Sequence, residues 1–331
     1  MNRRDTVIAL LALGALPFAA KAQQTGKAWR IGFLSPDTEA SSAGQQALAQ
    51  FPESLNRLGY QVGRNLNIEW RWGEAQDDKL PALAEELVRL RVDLIVARTT
   101  FPILAAKRAT HTIPIVMLNA NYPVELGLVE SLARPGANVT GTSYFSPETI
   151  EKQLQILKEA APKVTRLAIL WNSNPGRKNY GDIIQGSLQR ASTRLGMTLQ
   201  FFEMSRAEEI RVALDRIVAS RIDALWYDGQ PLFRANVKQI VAFLLARRLA
   251  SVGAVTPFAD QGGLLSYTPD EKSFFDRTAS YVDRILKGAK PADLPVEQPT
   301  KFNLVINLKT ARAIGIKIPQ SVLVLADRVI E

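Results

Sequence analysis

The chain has 331 residues, a formal charge of +9, 47 % hydrophobic and 22 % charged residues, no cysteine and a single histidine. The absence of cysteine excludes disulfides, thiolate metal sites and thiol nucleophiles, and His111 alone in a polar link leaves a Ser-His-Asp arrangement without candidates. The 41 basic residues are scattered among 32 acidic ones, which describes a solvated surface rather than a nucleic-acid stripe, so no nucleic-acid partner is expected.

The chain opens with Arg3 and Arg4, an apolar run from Val7 to Ala20 and the small-x-small pattern Ala20-Lys21-Ala22. Residues 1–22 therefore read as a cleaved signal peptide, by general secretory or twin-arginine export, with Gln23 as the mature start and the periplasm as destination. The run is shorter than the roughly 20 apolar residues of a membrane anchor.

From Trp29 onward β-rich runs alternate with helical ones, the pattern of a parallel sheet covered by helices. Arg30–Leu34 reads as a strand, followed by a helix that Gly59 terminates. Asn67–Trp72 is the next strand, and Leu80, Leu83, Leu87 and Leu90 stripe a helix. Asp93–Ala97 and Ile115–Leu118 follow as strands, with a helix from Pro102 to Ala109 between them. Ser146 and Pro147 cap a helix carrying Ile150, Leu154 and Leu157.

The second half repeats the grammar. Arg166–Trp171 is a strand, Ile184, Leu188, Ala191 and Leu195 stripe a helix stopped by Gly196, and Thr198–Phe202 is a strand. Ser205 with Glu208 forms a capping box, Asp223–Tyr227 is a strand, and Val237 to Leu245 stripes a helix. Arg30 to Gly59 and Arg166 to Gly196 are nearly equal in length, and Val92-Asp93-Leu94-Ile95-Val96 matches Ile222-Asp223-Ala224-Leu225-Trp226. This reads as two similar α/β lobes. Next come a strand at Leu264–Tyr267, a capping box at Thr268-Pro269-Asp270-Glu271 and a helix to Gly288. Residues 289–299, with three prolines, make a stiff crossover, and Phe302–Ile306 is a last strand before Asn307 caps a short helix ending at Gly315.

In open parallel sheets ligands bind beyond the carboxyl ends of the strands. The residues just past the strands are Ser35, Thr99, Thr100, Asn119 and Tyr122 in the first half, Ser143 in the crossover, and Asn172, Asp228 and Phe258 in the second. These are the candidate ligand-binding residues, rich in neutral hydrogen-bond partners with aromatic walls and one carboxylate. No H-E-x-x-H, Walker A, G-x-G-x-x-G or G-x-S-x-G motif is present, so no metal, cofactor or catalytic residue is expected and the chain does not read as an enzyme.

Val124-Glu125-Leu126-Gly127-Leu128-Val129, Ala133-Arg134-Pro135-Gly136-Ala137-Asn138-Val139-Thr140-Gly141 and Tyr281-Val282-Asp283-Arg284-Ile285-Leu286-Lys287-Gly288-Ala289-Lys290-Pro291 resemble stretches of ABC-transporter substrate-binding proteins of the tryptophan/tyrosine-type group. So does Leu294 through Asn307. The resemblance implies a type I periplasmic binding fold, two Rossmann-like lobes with parallel sheets joined by three crossover strands. It implies an N-terminal lobe of residues 29–143 plus 264–288 and a C-terminal lobe of 147–260 plus 300–331. It also implies capture of a small organic solute, amino-acid-like or an aromatic acid, by hinge closure and delivery to an ABC permease with its ATPase; a monomer is expected. Ser35, Thr99, Thr100 and Asn119 would hold a carboxylate or polar head, Asp228 would pair with an amine or hydroxyls, and Phe258 would cover an apolar portion. Where the aromatic amino-acid binders typically read Asp-Asn-Thr, this chain reads Asp228-Gly229-Gln230-Pro231. A periplasmic sensory subunit and a secreted carboxylate-dependent enzyme remain the alternatives.

Overall fold

The computed structural model describes residues 28–144, 146–173, 178–255, 257–270 and 274–331. The expected signal peptide at 1–22, and Glu271 of the expected capping box, lie outside the described residues.

Two sheets organise the chain. The first is wholly parallel, in the order β2-β1-β3-β4-β5, with β1 Trp29–Ser35, β2 Leu66–Trp72, β3 Leu94–Arg98, β4 Ile115–Ala120 and β5 Val139–Ser143. The second runs β12-β11-β10-β9-β8-β6-β7, with β6 Arg166–Asn172, β7 Thr198–Met204, β8 Ala224–Tyr227, β9 Ala250–Gly253, β10 Leu265–Pro269, β11 Phe302–Asn307 and β12 Arg328–Ile330. Its β10–β11 pair is antiparallel and its other pairings are parallel. Every residue of β3 and β8 is buried, as central parallel strands covered by helices on both faces must be.

Each sheet carries an apolar cluster on each face. Ile31, Phe33, Leu94 and Val116 meet Phe51, Leu55 and Val282 on one side of the first sheet, and Leu34, Ile95 and Met117 meet Leu87 and Ile103 on the other. The second sheet is sandwiched in the same way by Leu154, Ile184 and Leu188, and by Ile210, Leu214, Ile240 and Leu244.

The two halves share a local device. Asp93 Oδ2 accepts the Arg30 N–H at 2.8 Å, and Asp223 Oδ2 accepts the Arg166 N–H at 2.9 Å. Each aspartate thus ties the start of its strand to the start of the neighbouring one. Arg91 and Arg221, each two residues earlier, both take positive φ (51° and 49°). Matching hydrogen bonds and backbone turns at matching positions carry the resemblance between lobes beyond its hydrophobic pattern.

Three corrections emerge. The strand at 265–269 belongs to the second sheet, paired with β9 and β11, whereas the first lobe was expected to hold all of 264–288. Only the helix Phe274–Leu286 packs on the first lobe, burying Phe274, Phe275, Val282 and Leu286 against Phe51 and Leu55. The split follows from burial: Leu265 is completed by β9, while the helix's apolar face fits the stripe of Ser42–Arg57. The capping box expected from Ser205 and Glu208 does not form: the helix begins at Glu209, its N-cap Glu208 makes no side-chain capping bond, and the Glu209 carboxylate accepts the Ser205 N–H at 2.7 Å. Thr268 and Pro269 lie in β10 rather than at a helix start.

The chain passes between the lobes three times: after β5, after β10 and between Leu294 and β11. The last passage lies beside the first. Glu297 N–H donates to the Gly141 carbonyl at 3.0 Å, and its own carbonyl accepts the Ser143 N–H at 2.9 Å. The fold is therefore two parallel-sheet lobes on a hinge of adjacent crossovers.

Candidate functional site

In both sheets the chain order reverses beside the first strand, between β1 and β3 and between β6 and β8. Loops diverge there and leave a crevice at the carboxyl ends. Between the lobes at these ends lies a cavity of ≈ 100 Å³. The first lobe supplies Pro36, Arg98, Thr99, Thr100, Phe101, Asn119 and Asn121, the crossover Tyr144, and the second lobe Tyr180, Asp228–Pro231, Arg234 and Val255.

The first-lobe wall is strained. Thr99 (φ 64°) and Asn119 (φ 66°) occupy the left-handed region, as does Tyr122 (φ 52°) nearby. Such conformations cost about 1–3 kcal/mol each and persist where surrounding bonds over-determine them. Here Thr99 N–H donates to Leu118 O at 2.8 Å, Asn119 N–H to Thr142 Oγ1 at 3.3 Å and Asn121 N–H to Thr100 Oγ1 at 3.1 Å. The strand ends are thereby locked to each other. The result aims the start of helix Thr100–Ala109 at the cavity, with no side chain capping it. An uncapped helix N-terminus presents N–H donors and partial positive charge, suited to an anion.

Acceptors gather on the same cavity. Asn119 Oδ1 and Asn121 Oδ1 are buried without a hydrogen-bond partner, an arrangement that costs free energy unless something donates to them. Asp228 stands opposite on the second lobe, its carboxylate accepting the Gln230 N–H at 3.0 Å and the Gln230 side-chain amide. Gly229 (φ 70°) lets the loop turn, and any Cβ there would meet Val255 at 2.2 Å. Behind it, Tyr227 is buried with its hydroxyl unpartnered, and burial raises its pKa.

The lobes touch across the crevice. Asn121 Nδ2 donates to the Tyr180 hydroxyl at 3.0 Å, and the Tyr180 ring stands edge-on to Phe101 at 5.4 Å. Asp37 accepts from Arg98 of its own lobe and from Arg234 of the other, the latter at 2.8 Å. Tyr180 and Asp228 also border a small annex of ≈ 10 Å³ walled by Tyr122, Ile150, Gln153, Ile184 and Trp226.

Of the residues expected from sequence, Thr99, Thr100, Asn119 and Asp228 stand on this cavity. Ser35 is fully buried behind it, donating to Asp37 Oδ2 at 3.1 Å. Tyr122 walls the annex, and burial pushes its pKa upward. Ser143 faces a hinge-side groove of ≈ 490 Å³ with Glu148, Lys152, Tyr267 and Phe302. Asn172 ends β6 and is not among the cavity walls. Phe258 is the plain correction. It is fully buried, stacked on Tyr227 at 4.5 Å, and fills the space that Gly253 and Gly263 leave open, so it is core rather than a cover for solute.

Sequence reasoning missed Arg98, Arg234, Asp37, Phe101 and Tyr180. Arg98 had a signal, since an arginine ending the buried run Leu94–Arg98 must find a counter-charge. Arg234 and Tyr180 had none: each lies on a helix whose approach to the other lobe is set by the hinge.

The family model described as "ABC transporter substrate binding protein" matches residues 42–330. A tyrosine-binding protein of Clostridioides difficile (strain R20291) is 25 % identical over 267 residues, covering 81 % of this chain and 76 % of that protein. The structure of an ABC domain in complex with L-Trp from Streptococcus pneumonia superposes with a TM-score of 0.82 at 26 % identity, covering 91 % of this chain and 99 % of that one. A conserved domain protein from Vibrio cholerae O1 biovar El Tor superposes with a TM-score of 0.83 at 26 % identity, covering 92 % of this chain and all (100 %) of that one. With a two-lobed fold, a polar interlobe cavity and a family match over nearly its whole length, the chain belongs to the ABC transporter substrate-binding proteins.

Proposed function

We propose that this protein captures a small zwitterionic solute of the α-amino-acid class in the periplasm and presents it to an ABC permease with its ATPase. The observation that carries this reading is the pairing of opposite chemistries on one cavity. The uncapped N-terminus of Thr100–Ala109 offers donors to a carboxylate, while Asn119 Oδ1, Asn121 Oδ1 and Asp228 offer acceptors to an ammonium group. Each orphan acceptor regains a partner when an ammonium group enters.

A relative named for tyrosine and a structure with bound L-Trp support the amino-acid class. The cavity of ≈ 100 Å³ is smaller than the about 150 Å³ that takes a benzene. It fits the amino-acid head and a short side chain, and a larger side chain has to push Tyr180 toward the annex. Contacts from both lobes favour closure, so solute shifts the open–closed balance. Export rests on the signal-like residues 1–22, cleaved after Ala22.

The test is calorimetry of the purified protein, stripped of solute, against the twenty L-amino acids, with mass spectrometry of whatever co-purifies. Wild type binds at least one amino acid with one-to-one stoichiometry and releases it unaltered. Asp228→Asn weakens that binding about tenfold or more with little change in melting temperature. Asp228→Asn binding as tightly as wild type, or a solute returned chemically changed, sinks the reading.

A further inference from the structure

Asp37 is 6 % exposed and holds two arginines at once. Oδ2 accepts from the Arg98 guanidinium and from Ser35 Oγ at 3.1 Å, and Oδ1 accepts from Arg234 Nη2 at 2.8 Å. Arg98 and Arg234 both line the interlobe cavity, whereas Asp37 stands behind them. One carboxylate cannot neutralise two guanidinium groups, so this side of the cleft keeps one net positive charge. Asp228, on the same cavity, is the other charged group among its described walls.

We propose that Asp37 is a specificity-determining residue: by cancelling one of two cavity-facing arginine charges, it fits the cleft to solutes with a single carboxylate and one ammonium group, and against acidic ones. This rests on the amino-acid reading above. A zwitterion then meets one residual positive charge and one negative charge. A solute with a second carboxylate brings an anion for which the described walls leave no cation, into a partly desolvated cleft backed by Asp37 itself. Uncompensated charge in such a setting is penalised far more than in water. Without Asp37 the arginine side carries two free charges, and the preference moves toward dicarboxylate solutes. Because Arg234 reaches Asp37 from the opposite lobe, the charge balance is assembled only when the lobes meet.

The test compares near-isosteric pairs that differ by one charge, glutamine against glutamate and 4-carbamoyl- against 4-carboxyphenylalanine, by calorimetry. Wild type favours the uncharged member about tenfold or more, and glutamate γ-methyl ester binds like glutamine. Asp37→Asn narrows that ratio about tenfold. Should Asp37→Asn fail to fold because Arg98 loses its partner, Arg234→Gln keeps the Asp37–Arg98 pair and cancels the residual charge instead. In that variant glutamine's advantage over its decarboxylated analogue, 4-aminobutanamide, shrinks to what the N-terminus of Thr100–Ala109 alone supplies. A residue that merely latches the lobes would weaken both ligands equally, and that result overturns the proposal. So does a wild type that binds both members of each pair alike, or a γ-methyl ester bound as poorly as glutamate. Failure of wild type to bind any amino acid removes the proposed function and this inference together, whereas binding with unshifted ratios removes the inference alone.

Discussion

At the scale of single residues, Asp223 shows how one carboxylate ties strands together. It accepts the Thr165 N–H at 3.0 Å, the Thr165 hydroxyl at 2.8 Å and the Arg166 N–H at 2.9 Å. Partial burial pushes its pKa up, but these bonds with Thr165 and Arg166 outweigh that and hold it below the usual carboxylate range. A lowered folded-state pKa means stabilisation that is fully present above about pH 3.9 and is lost as pH falls through the folded value. Asp223→Asn is therefore expected to cost about 1–2 kcal/mol at pH 7. The gap from wild type shrinks as the medium is acidified below about pH 4. Thermal melts at both pH values check this; an equal gap at the two contradicts it. Tyr60 shows the opposite sign. Burial, reinforced by its 3.0 Å hydrogen bond to Asp283, pushes its phenol up to about 12. A difference titration of wild type against Tyr60→Phe should show one phenol ionising there. Asp283→Asn moves it downward.

At the scale of elements, the β4–β5 pairing decides how the first lobe delivers the hinge. The register shifts between Met117 and Ala120, and this irregularity swings Asn119 toward the cavity. Gly141 makes the close approach possible. It sits at φ 130°, and a Cβ there would lie 2.4 Å from the Met117 carbonyl oxygen and 2.6 Å from its nitrogen. Backbone atoms cannot yield as a side-chain tip can. Gly141→Ala is expected to lower stability by about 2 kcal/mol or more, read as a fall in the urea midpoint. An unchanged midpoint would mean the strand pair relaxes more easily than its packing implies. The same logic explains Phe258, whose ring occupies the room beside Gly253 and Gly263 and so cannot cover a solute.

At the scale of the whole molecule, closure is a sum of small cross-cleft contacts. The Asn121–Tyr180 hydrogen bond at 3.0 Å and the Phe101–Tyr180 ring contact at 5.4 Å are two of them. A neutral hydrogen bond contributes about 0.5–1.5 kcal/mol and an aromatic pair a similar amount. Tyr180→Ala therefore shifts the closed–open ratio roughly tenfold toward the open form. Small-angle scattering of the solute-stripped protein should show a larger radius of gyration for the variant than for wild type. Identical scattering profiles would assign closure to the remaining contacts.

The sequence by itself determined what depends on neighbours along the chain. Alternating strand and helix periods, Gly59 and Gly196 as helix stops, and the paired Asp93 and Asp223 segments all follow from local sterics and burial patterns, and they were enough to specify two α/β lobes with Thr99, Thr100, Asn119 and Asp228 at their rims. Tertiary structure alone decided what depends on how the lobes meet. No local rule assigns the strand Leu265–Pro269 to the second sheet while its following helix packs on the first. Nor does spacing reveal that Arg234 reaches Asp37, 197 residues away. The reason is physical: a buried charge or a last strand takes whichever partner the closed core brings within reach, and that reach is set by the hinge rather than by sequence distance.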